Sequence, residues 1–187
     1  MPPRIKITRE EIVRAALELV RRDGAEAVNA RQLAKALNCS TQPIFSNFSS
    51  MEELKLAVVT AADALYQAYT KREIESDQYP VYKAAGMAYI RFAREERELF
   101  KLLFMRDRSD EVIPEETEDT RAIAGIVQAT TGFAGDRAKL FHLEMWAYVH
   151  GIAAMMATGF LELDADLVSE MMTDAYQGLR KRYEEKE

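Results

Sequence analysis

Residues 29–48, Asn-Ala-Arg-Gln-Leu-Ala-Lys-Ala-Leu-Asn-Cys-Ser-Thr-Gln-Pro-Ile-Phe-Ser-Asn-Phe, constrain the fold more than any other stretch of the chain. Their spacing predicts two short helices joined by a tight turn, the second too short to be stable alone. Asn29 caps the first helix with Gln32 reaching back, and Leu33, Ala34 and Leu37 recur at i, i+1 and i+4 as its buried side. Asn38 marks the turn, being the residue type after Gly that most readily takes a left-handed backbone, and Ser40 restarts the chain as an N-cap. Pro43 then falls in the first turn of the second helix, where a missing backbone N–H breaks no intrahelical bond. Two such helices across such a turn have the pattern of a helix-turn-helix, whose second helix reads DNA.

The flanking segments sharpen this reading. Upstream, Thr8-x-x-Glu11 is a capping box that opens a helix with Ile12, Ala16, Leu19 and Val20 on one face and Gly24 as its stop. Downstream, Ser50-x-x-Glu53 opens another helix, unbroken to about Glu75. The series Ile12-Val-Arg-Ala-Ala-Leu-Glu-Leu, Asp23-Gly24, Asn29-Ala-Arg-Gln-Leu-Ala, Cys39-Ser40, Ile44-Phe45, Asn47-Phe48 and Glu52-Glu53-Leu54 resembles the N-terminal domain of the TetR family of transcriptional regulators. The resemblance covers about the first 55 residues. Two positions depart from the family pattern: Phe45 stands where a Tyr hydroxyl usually meets a backbone phosphate, and Met51 stands where a Lys usually opens the long helix. Phe packs as Tyr does, so the fold is preserved while two phosphate anchors are lost. Asn38 in place of the usual turn Gly is conservative on backbone grounds.

Net charge becomes informative once it is divided. Residues 1–55 carry 9 Lys and Arg against 7 Asp and Glu, giving +2, while the remaining 132 carry 16 against 24, giving −8, which together make the −6 of the whole chain. The basic excess therefore sits with the helix-turn-helix: Arg4, Lys6 and Arg9 form an N-terminal cationic arm, Arg31 and Lys35 lie on the first helix of the motif, and Lys55 is one turn into the long helix. Arg31 is the stronger phosphate candidate because it lies in the first turn of its helix, where the exposed N–H groups also attract phosphate. A chain of 187 residues with 48% hydrophobic and 30% charged residues fits a globular helical protein. The single cysteine, Cys39, excludes an intrachain disulfide. The longest apolar run, Ile152 to Ala157, is far short of the roughly 18 residues of a membrane span, and the chain starts with no signal-like apolar stretch, so a cytoplasmic location is expected.

Beyond residue 55 the pattern is helical throughout, and the whole is expected to be all-α: a helix-turn-helix domain over 1–55 and a helical bundle over 56–187. Leu54, Val58, Ala61, Leu65 and Tyr69 stripe the long helix, which Asp77-Gln-Tyr-Pro80 breaks. A helix from Pro80 to about Glu95 follows with Ala85, Ala88, Tyr89 and Phe92 inward, then a short one carrying Leu99, Phe100, Leu103 and Phe104. Residues 107–114 read as a loop, a further helix runs from about Glu116 to Thr131, and Asp136 and Asp164 read as N-caps of two long final helices. Phe92-Ala93-Arg94-Glu95-Glu96, Leu99-Phe100, Leu103-Phe104 and Trp146-x-x-x-His150-Gly151 resemble the C-terminal domain called WHG in the TetR family, over roughly residues 80–185. That resemblance implies a homodimer held by the last two helices of each subunit, with a ligand pocket above the DNA-binding domain.

Catalytic chemistry is sparse. His142 and His150 lie about 80° apart around one helix, with no Cys or carboxylate at metal-ligand spacing, so no metal or other cofactor is expected. His150 reads first as a satisfied buried histidine and second as a hydrogen-bonding group in a pocket. Cys39 reads as a small core residue, since there is no resolving cysteine. With no phosphate-cradling glycine loop and no Ser-His-Asp signature, an enzyme is not expected. Met87, Phe92, Phe100, Phe104, Phe141, Met145, Trp146 and Met155 could wall an apolar ligand cavity or simply form core, with Tyr89, Tyr148 and His150 as polar groups. Ile152, Met156, Phe160, Leu167 and Met171 flank the turn between the last two helices as candidate dimer contacts.

These readings join in a ligand-responsive regulator that binds a near-palindromic double-stranded DNA operator as a homodimer, with a small apolar or amphipathic ligand. Thr41 and Gln42 are the expected base readers. Ser40, Ser46 and Asn47 are expected on phosphates, and Phe45 mainly in packing with its edge toward the backbone. The competing reading is a helical bundle that senses a small molecule or docks a protein, with DNA binding weakened by the loss of the two anchors.

Overall fold

The computed structural model describes residues 7–107 and 118–185. Among these the regular structure is entirely helical: α1 (Arg9–Asp23), α2 (Ala30–Ala36), α3 (Gln42–Asn47), α4 (Met51–Glu75), α5 (Val81–Glu95), α6 (Arg97–Phe104), α7 (Glu118–Thr131), α8 (Gly135–Ala157) and α9 (Ala165–Glu184), with one 3-10 turn at Ala25–Ala27. The all-α expectation is met. Arg4, Lys6, Glu116 and positions 108–114 of the expected loop lie outside the described residues.

Two compact units emerge. The first comprises Met1–Gln67 and Glu96–Arg106, the second Ala68–Glu95 and Asp107–Glu187, so α4 runs through both. This partition differs from a simple division after residue 55, because α6 returns to the N-terminal unit. Arg21 holds Glu96 through two hydrogen bonds of 2.8 Å, Nε to one carboxylate oxygen and Nη2 to the other. Such a fork is the geometry a guanidinium makes best with a carboxylate. Behind it Leu99 and Phe100 are fully buried, and Phe104 packs edge-on to Tyr66 with ring centroids 5.2 Å apart.

The caps show where local chemistry decides a helix end. Thr8 and Glu11 form the expected reciprocal box, and Gly24 closes α1 at φ +82, a backbone region costly for a side chain. Asn29 accepts the Gln32 N–H at 3.0 Å. The Asp164 carboxylate caps α9 through the Leu167 N–H at 2.8 Å. Asp136 does not cap α8: Ala134 holds the extended N-cap position and Asp136 falls in the exposed first turn, where its charge faces the helix N-terminus instead. On α5 the fully buried alanines are Ala84, Ala88 and Ala93, while Ala85 is half-buried, a rotation of the inner face by about one residue.

In the second unit α5 packs along α8, with Phe92 and Ile152 among the fully buried contacts. Two hydrogen bonds bridge these helices, Tyr82 Oη to His142 Nδ1 at 3.0 Å and Tyr89 Oη to His150 Nδ1 at 2.8 Å. Gly86 permits close approach of α9, since a Cβ there would lie 2.4 Å from the Met172 methyl. Farther along, Val127, Phe133, Ala138, Phe141, Met145 and Tyr183 make one buried cluster from α7, α8 and α9. Phe141 meets Phe133, Tyr176 and Tyr183 edge-on at 5.5–5.6 Å between ring centroids, the favoured arrangement of aromatic quadrupoles.

Candidate nucleic-acid interface

The geometry of α3 begins with the turn before it. Asn38 sits at φ +50, and the Cys39 N–H bonds the Ala34 carbonyl at 2.9 Å, closing α2. Ile44 and Phe48 are buried against a core of Ile12, Ala16, Leu33 and Leu54, which fixes the rotation of α3 about its own axis. The opposite face then has to be exposed. Gln42, Phe45 and Ser46 occupy it, with Phe45 at 52% exposure. Thr41, half-buried, is the N-cap, with a helical backbone and no side-chain capping bond; Ser40 lies one residue farther out and exposed. The restart expected at Ser40 is therefore displaced by one. Pro43 sits in the first turn as its missing N–H demands.

Arg31 is exposed in the first turn of α2, and Lys55 is exposed one turn into α4. Met51 is half-buried at the first position of α4, followed by Glu52 and Glu53. The Ser46 hydroxyl donates to the Gln42 carbonyl at 2.9 Å, a local bond that leaves its oxygen outward. Asn47 is arranged differently from the phosphate contact expected of it. Its side-chain amide donates to the Pro43 carbonyl at 2.8 Å and to the Ile7 carbonyl at 3.3 Å, which uses both of its N–H groups inside the fold.

One junction was missed in the sequence because its members are distant along the chain. The Arg9 guanidinium donates to the Asn47 carbonyl and to Glu53 Oε1, both at 2.8 Å, and lies 4.0 Å from the centroid of the Phe48 ring. Glu53 Oε2 also accepts the Ser49 N–H and hydroxyl, each at 2.7 Å. The Ser49 hydroxyl and N–H, then Arg9, hold the Glu53 carboxyl down at about 2 from its usual 4.5. So Arg9 is not part of a free cationic arm: it ties the start of α1 to the end of α3 and the start of α4. The visible signal was the Ser50-x-x-Glu53 box. Ser50 does cap the Glu53 N–H at 3.1 Å, but the carboxylate turns to Ser49 and Arg9.

The ligand candidates of the C-terminal half fall into separate packing groups. Phe100 and Phe104 belong to the first unit, with centroids 5.1 Å apart. Phe141 and Met145 are core of the cluster around Phe133. Tyr89 is buried and bonded to His150, on which Trp146 stacks at 5.0 Å with 43% of its surface exposed. Tyr148 points outward at 37% exposure, Phe92 is fully buried against Tyr69, and Met155 is half-buried. Met87 lines a cleft with Ile90, Arg91, Arg94, Met156, Leu163, Ala165 and Val168. Of the dimer candidates, Phe160 and Leu167 are exposed at 76% and 42%, and Met171 is half-buried. Ile152 and Met156, at 2% and 1%, face the interior of their own protomer and offer no surface to a second copy. No group of acidic, His or Cys side chains suited to a metal ion occurs among the described residues, and no helix there is long and apolar enough to cross a membrane.

Comparison with known proteins agrees with this geometry. Residues 12–58 match the family model described as bacterial regulatory proteins, tetR family, and residues 82–176 match that described as tetracyclin repressor-like, C-terminal domain. The chain is 26% identical over 183 residues to an uncharacterized HTH-type transcriptional regulator of Mycobacterium tuberculosis, covering 95% of this chain and 84% of that one. It is 32% identical over 65 residues to the HTH-type transcriptional regulator TcmR of Streptomyces glaucescens, covering 35% of this chain and 29% of that protein. Among solved structures, a protein with unknown function from Rhodococcus sp. RHA1 superposes with a TM-score of 0.70 at 22% identity, covering 97% of both chains. A TetR-like transcriptional regulator from the same organism gives 0.69 at 15% identity, covering 96% of this chain and 98% of the other. At these identities the two structures support the fold.

Proposed function

The chain belongs to the TetR family of transcriptional regulators, with a helix-turn-helix DNA-binding domain, and on that premise we propose that it is a ligand-responsive repressor that grips a near-palindromic operator as a homodimer. The observation that carries the reading is the two-sidedness of α3. Ile44 and Phe48 are locked into the core, while Gln42, Phe45 and Ser46 stand outward on the face that a recognition helix turns to the major groove. Gln42 has the donor and acceptor needed for a paired contact to adenine, and Thr41 a methyl and hydroxyl beside it. Arg31, Ser40, Ser46 and Lys55 flank that face as phosphate contacts. Two copies of α3 would enter successive major grooves about 34 Å apart. A ligand would release the operator only by binding one spacing of the two heads better than the other.

Selection of bound sequences from a random DNA pool, followed by binding at several salt concentrations, tests the reading. An inverted repeat with a steep salt dependence is expected; a single unrepeated site, or salt-insensitive binding, would overturn it. The second reading, a sensing or docking bundle with weak DNA binding, is favoured by one observation. The outward ring of Phe45 lacks a hydroxyl, and α4 opens with Met51, Glu52 and Glu53 rather than a cation.

A further inference from the structure

We propose that Arg9 and Glu53 are positioning residues for DNA reading: through Asn47 they fix the angle at which α3 stands, and so where Gln42 and Thr41 meet the bases. The inference rests on the reading of α3 as the recognition helix.

α3 is six residues long and has little of its own to hold it. Thr41 makes no side-chain capping bond, Ile44 is the buried side chain of the helix, and Phe48 is buried just past its end. Apolar burial is non-directional, so these two side chains decide which face of α3 turns inward but not its exact pitch. Directional bonds do that, and they converge on Asn47. Its side-chain amide donates to the Ile7 carbonyl at 3.3 Å, and its backbone carbonyl accepts from Arg9 Nη1 at 2.8 Å. The two residues that flank the Thr8 cap of α1 therefore grip the last residue of α3. That carbonyl is among the last-turn acceptors a helix cannot satisfy by itself, and a cation is favoured there.

For its own helix Arg9 is a poor choice. It holds the first position of α1, where the unpaired N–H groups disfavour a cation. What it joins accounts for its presence: the same Nη1 donates to Glu53 Oε1 at 2.8 Å, and the guanidinium lies 4.0 Å from the Phe48 ring centroid. Glu53 is itself held, since its Oε2 takes the Ser49 N–H and hydroxyl at 2.7 Å each. With 43% and 36% of the two side chains exposed, the ion pair contributes little to stability. Its effect is on geometry, because one guanidinium ties α1, the end of α3 and the start of α4 together.

Glu53→Gln separates position from charge, because the two predict opposite signs. A carboxylate that merely repelled phosphate would, once neutralised, let every DNA bind more tightly. A positioning carboxylate loses operator affinity even though the repulsion is gone. Operator and unrelated duplex would be titrated with the full-length parent, Arg9→Gln, Glu53→Gln and the double variant at several salt concentrations. Each single change should lower the ratio of operator to unrelated-DNA affinity roughly tenfold, the size of one weakened paired base contact, and the double variant should lose no more than either alone. Thermal melts at pH 7 should stay close to the parent's, which separates a displaced helix from an unfolded domain. Without DNA, the amide NMR resonances of residues 42–47 should shift in Glu53→Gln while those of α6 stay in place. Tighter operator binding by Glu53→Gln, additive losses in the double variant, or unmoved α3 resonances would each overturn the proposal. So would an even loss on both DNAs from Arg9→Gln with a salt slope lowered by about 0.9 per protomer, which would make Arg9 a phosphate contact. Displaced α3 resonances in a protein that prefers no DNA sequence would keep the junction's hold on α3 and overturn the recognition-helix reading instead.

Discussion

At the position of Gln42 the side chain is exposed while its neighbour Ile44 is fully buried, so its direction is set by the core and not by its own bonding. Gln42→Ala should cost about 1–3 kcal/mol on the preferred operator and relax discrimination at one position per half-site, whereas Arg31→Ala should weaken all sequences alike. Competition binding against single-base operator variants separates the two, and a uniform loss from Gln42→Ala would move it to the phosphate class. Met51 turns the missing anchor into a measurement. Met51→Lys should steepen the slope of log affinity against log salt by about 0.9 per protomer without changing preference. An unchanged slope would mean that the start of α4 does not face phosphate. Glu53 carries a pH dependence. A carboxyl with a lowered folded pKa stabilises the fold fully above its unfolded value of 4.5, and that contribution fades as pH falls toward about 2. Glu53→Gln should therefore flatten the acid limb of a stability profile measured from pH 5 downward. None of this junction could be read by eye from the sequence, because Arg9 and Glu53 are 44 residues apart and each alone looks like a solvated surface charge.

Helices were legible wherever a 3.6-residue apolar stripe met a capping residue, and less so where a cap alone had to choose the start. Thr8, Asn29 and Asp164 cap as their side chains allow, while Ser40 and Asp136 have equally suitable oxygens but stand one position outside and two positions past the N-cap. The capping chemistry is the same, and the tertiary packing of Ile44 and Ala138 decides the register. The turn at Asn38 was legible because few residues accept φ +50. Asn38→Gly should leave thermal stability nearly unchanged, while Asn38→Val should lower it by about 1–2 kcal/mol. The two bridges between α5 and α8 were not legible, although both histidines were noticed. They require Tyr82 and Tyr89, seven residues apart on α5, to fall opposite His142 and His150, eight apart on α8. Burial pushes both imidazoles below their usual 6.5. A base whose folded pKa is lowered takes up protons more readily when unfolded. Stability should thus be full above pH 6.5 and decline as pH falls below it. Urea denaturation between pH 8 and 5 checks this, and the double change His142→Gln, His150→Gln should remove most of the slope. A slope kept in that variant would assign the loss to other groups.

For the whole molecule, the question is what covers α8 and α9. Leu140, Leu143 and Trp146 on α8 are exposed at 50%, 55% and 43%, and Phe160 and Leu167 in the following turn and helix at 76% and 42%. Gly151 and Gly178 add positions where a Cβ would touch nothing within 4 Å, so a partner's backbone could come close there. So much apolar side chain on the last two helices is unusual for a monomer, and a two-fold axis lets one such patch cover its own copy. Sequence reading pointed to the same two helices, yet it counted Ile152 and Met156 among the outward residues, because α8 is apolar around most of its circumference and periodicity cannot tell its buried face from its exposed apolar face. A useful test must therefore avoid both. Met156→Glu would bury a charge in the protomer and unfold it, which says nothing about assembly. Leu143→Glu with Leu167→Glu places charge only on the exposed face. That variant should keep its helical content, sediment as a monomer, and retain only the weak affinity of one reading head for a half-site. On an inverted repeat it should lose the steep concentration dependence that two linked heads confer. If it still sediments as a dimer, the interface lies elsewhere. If it becomes a monomer and binds the full repeat as tightly as before, dimerisation is not how this protein reads its operator.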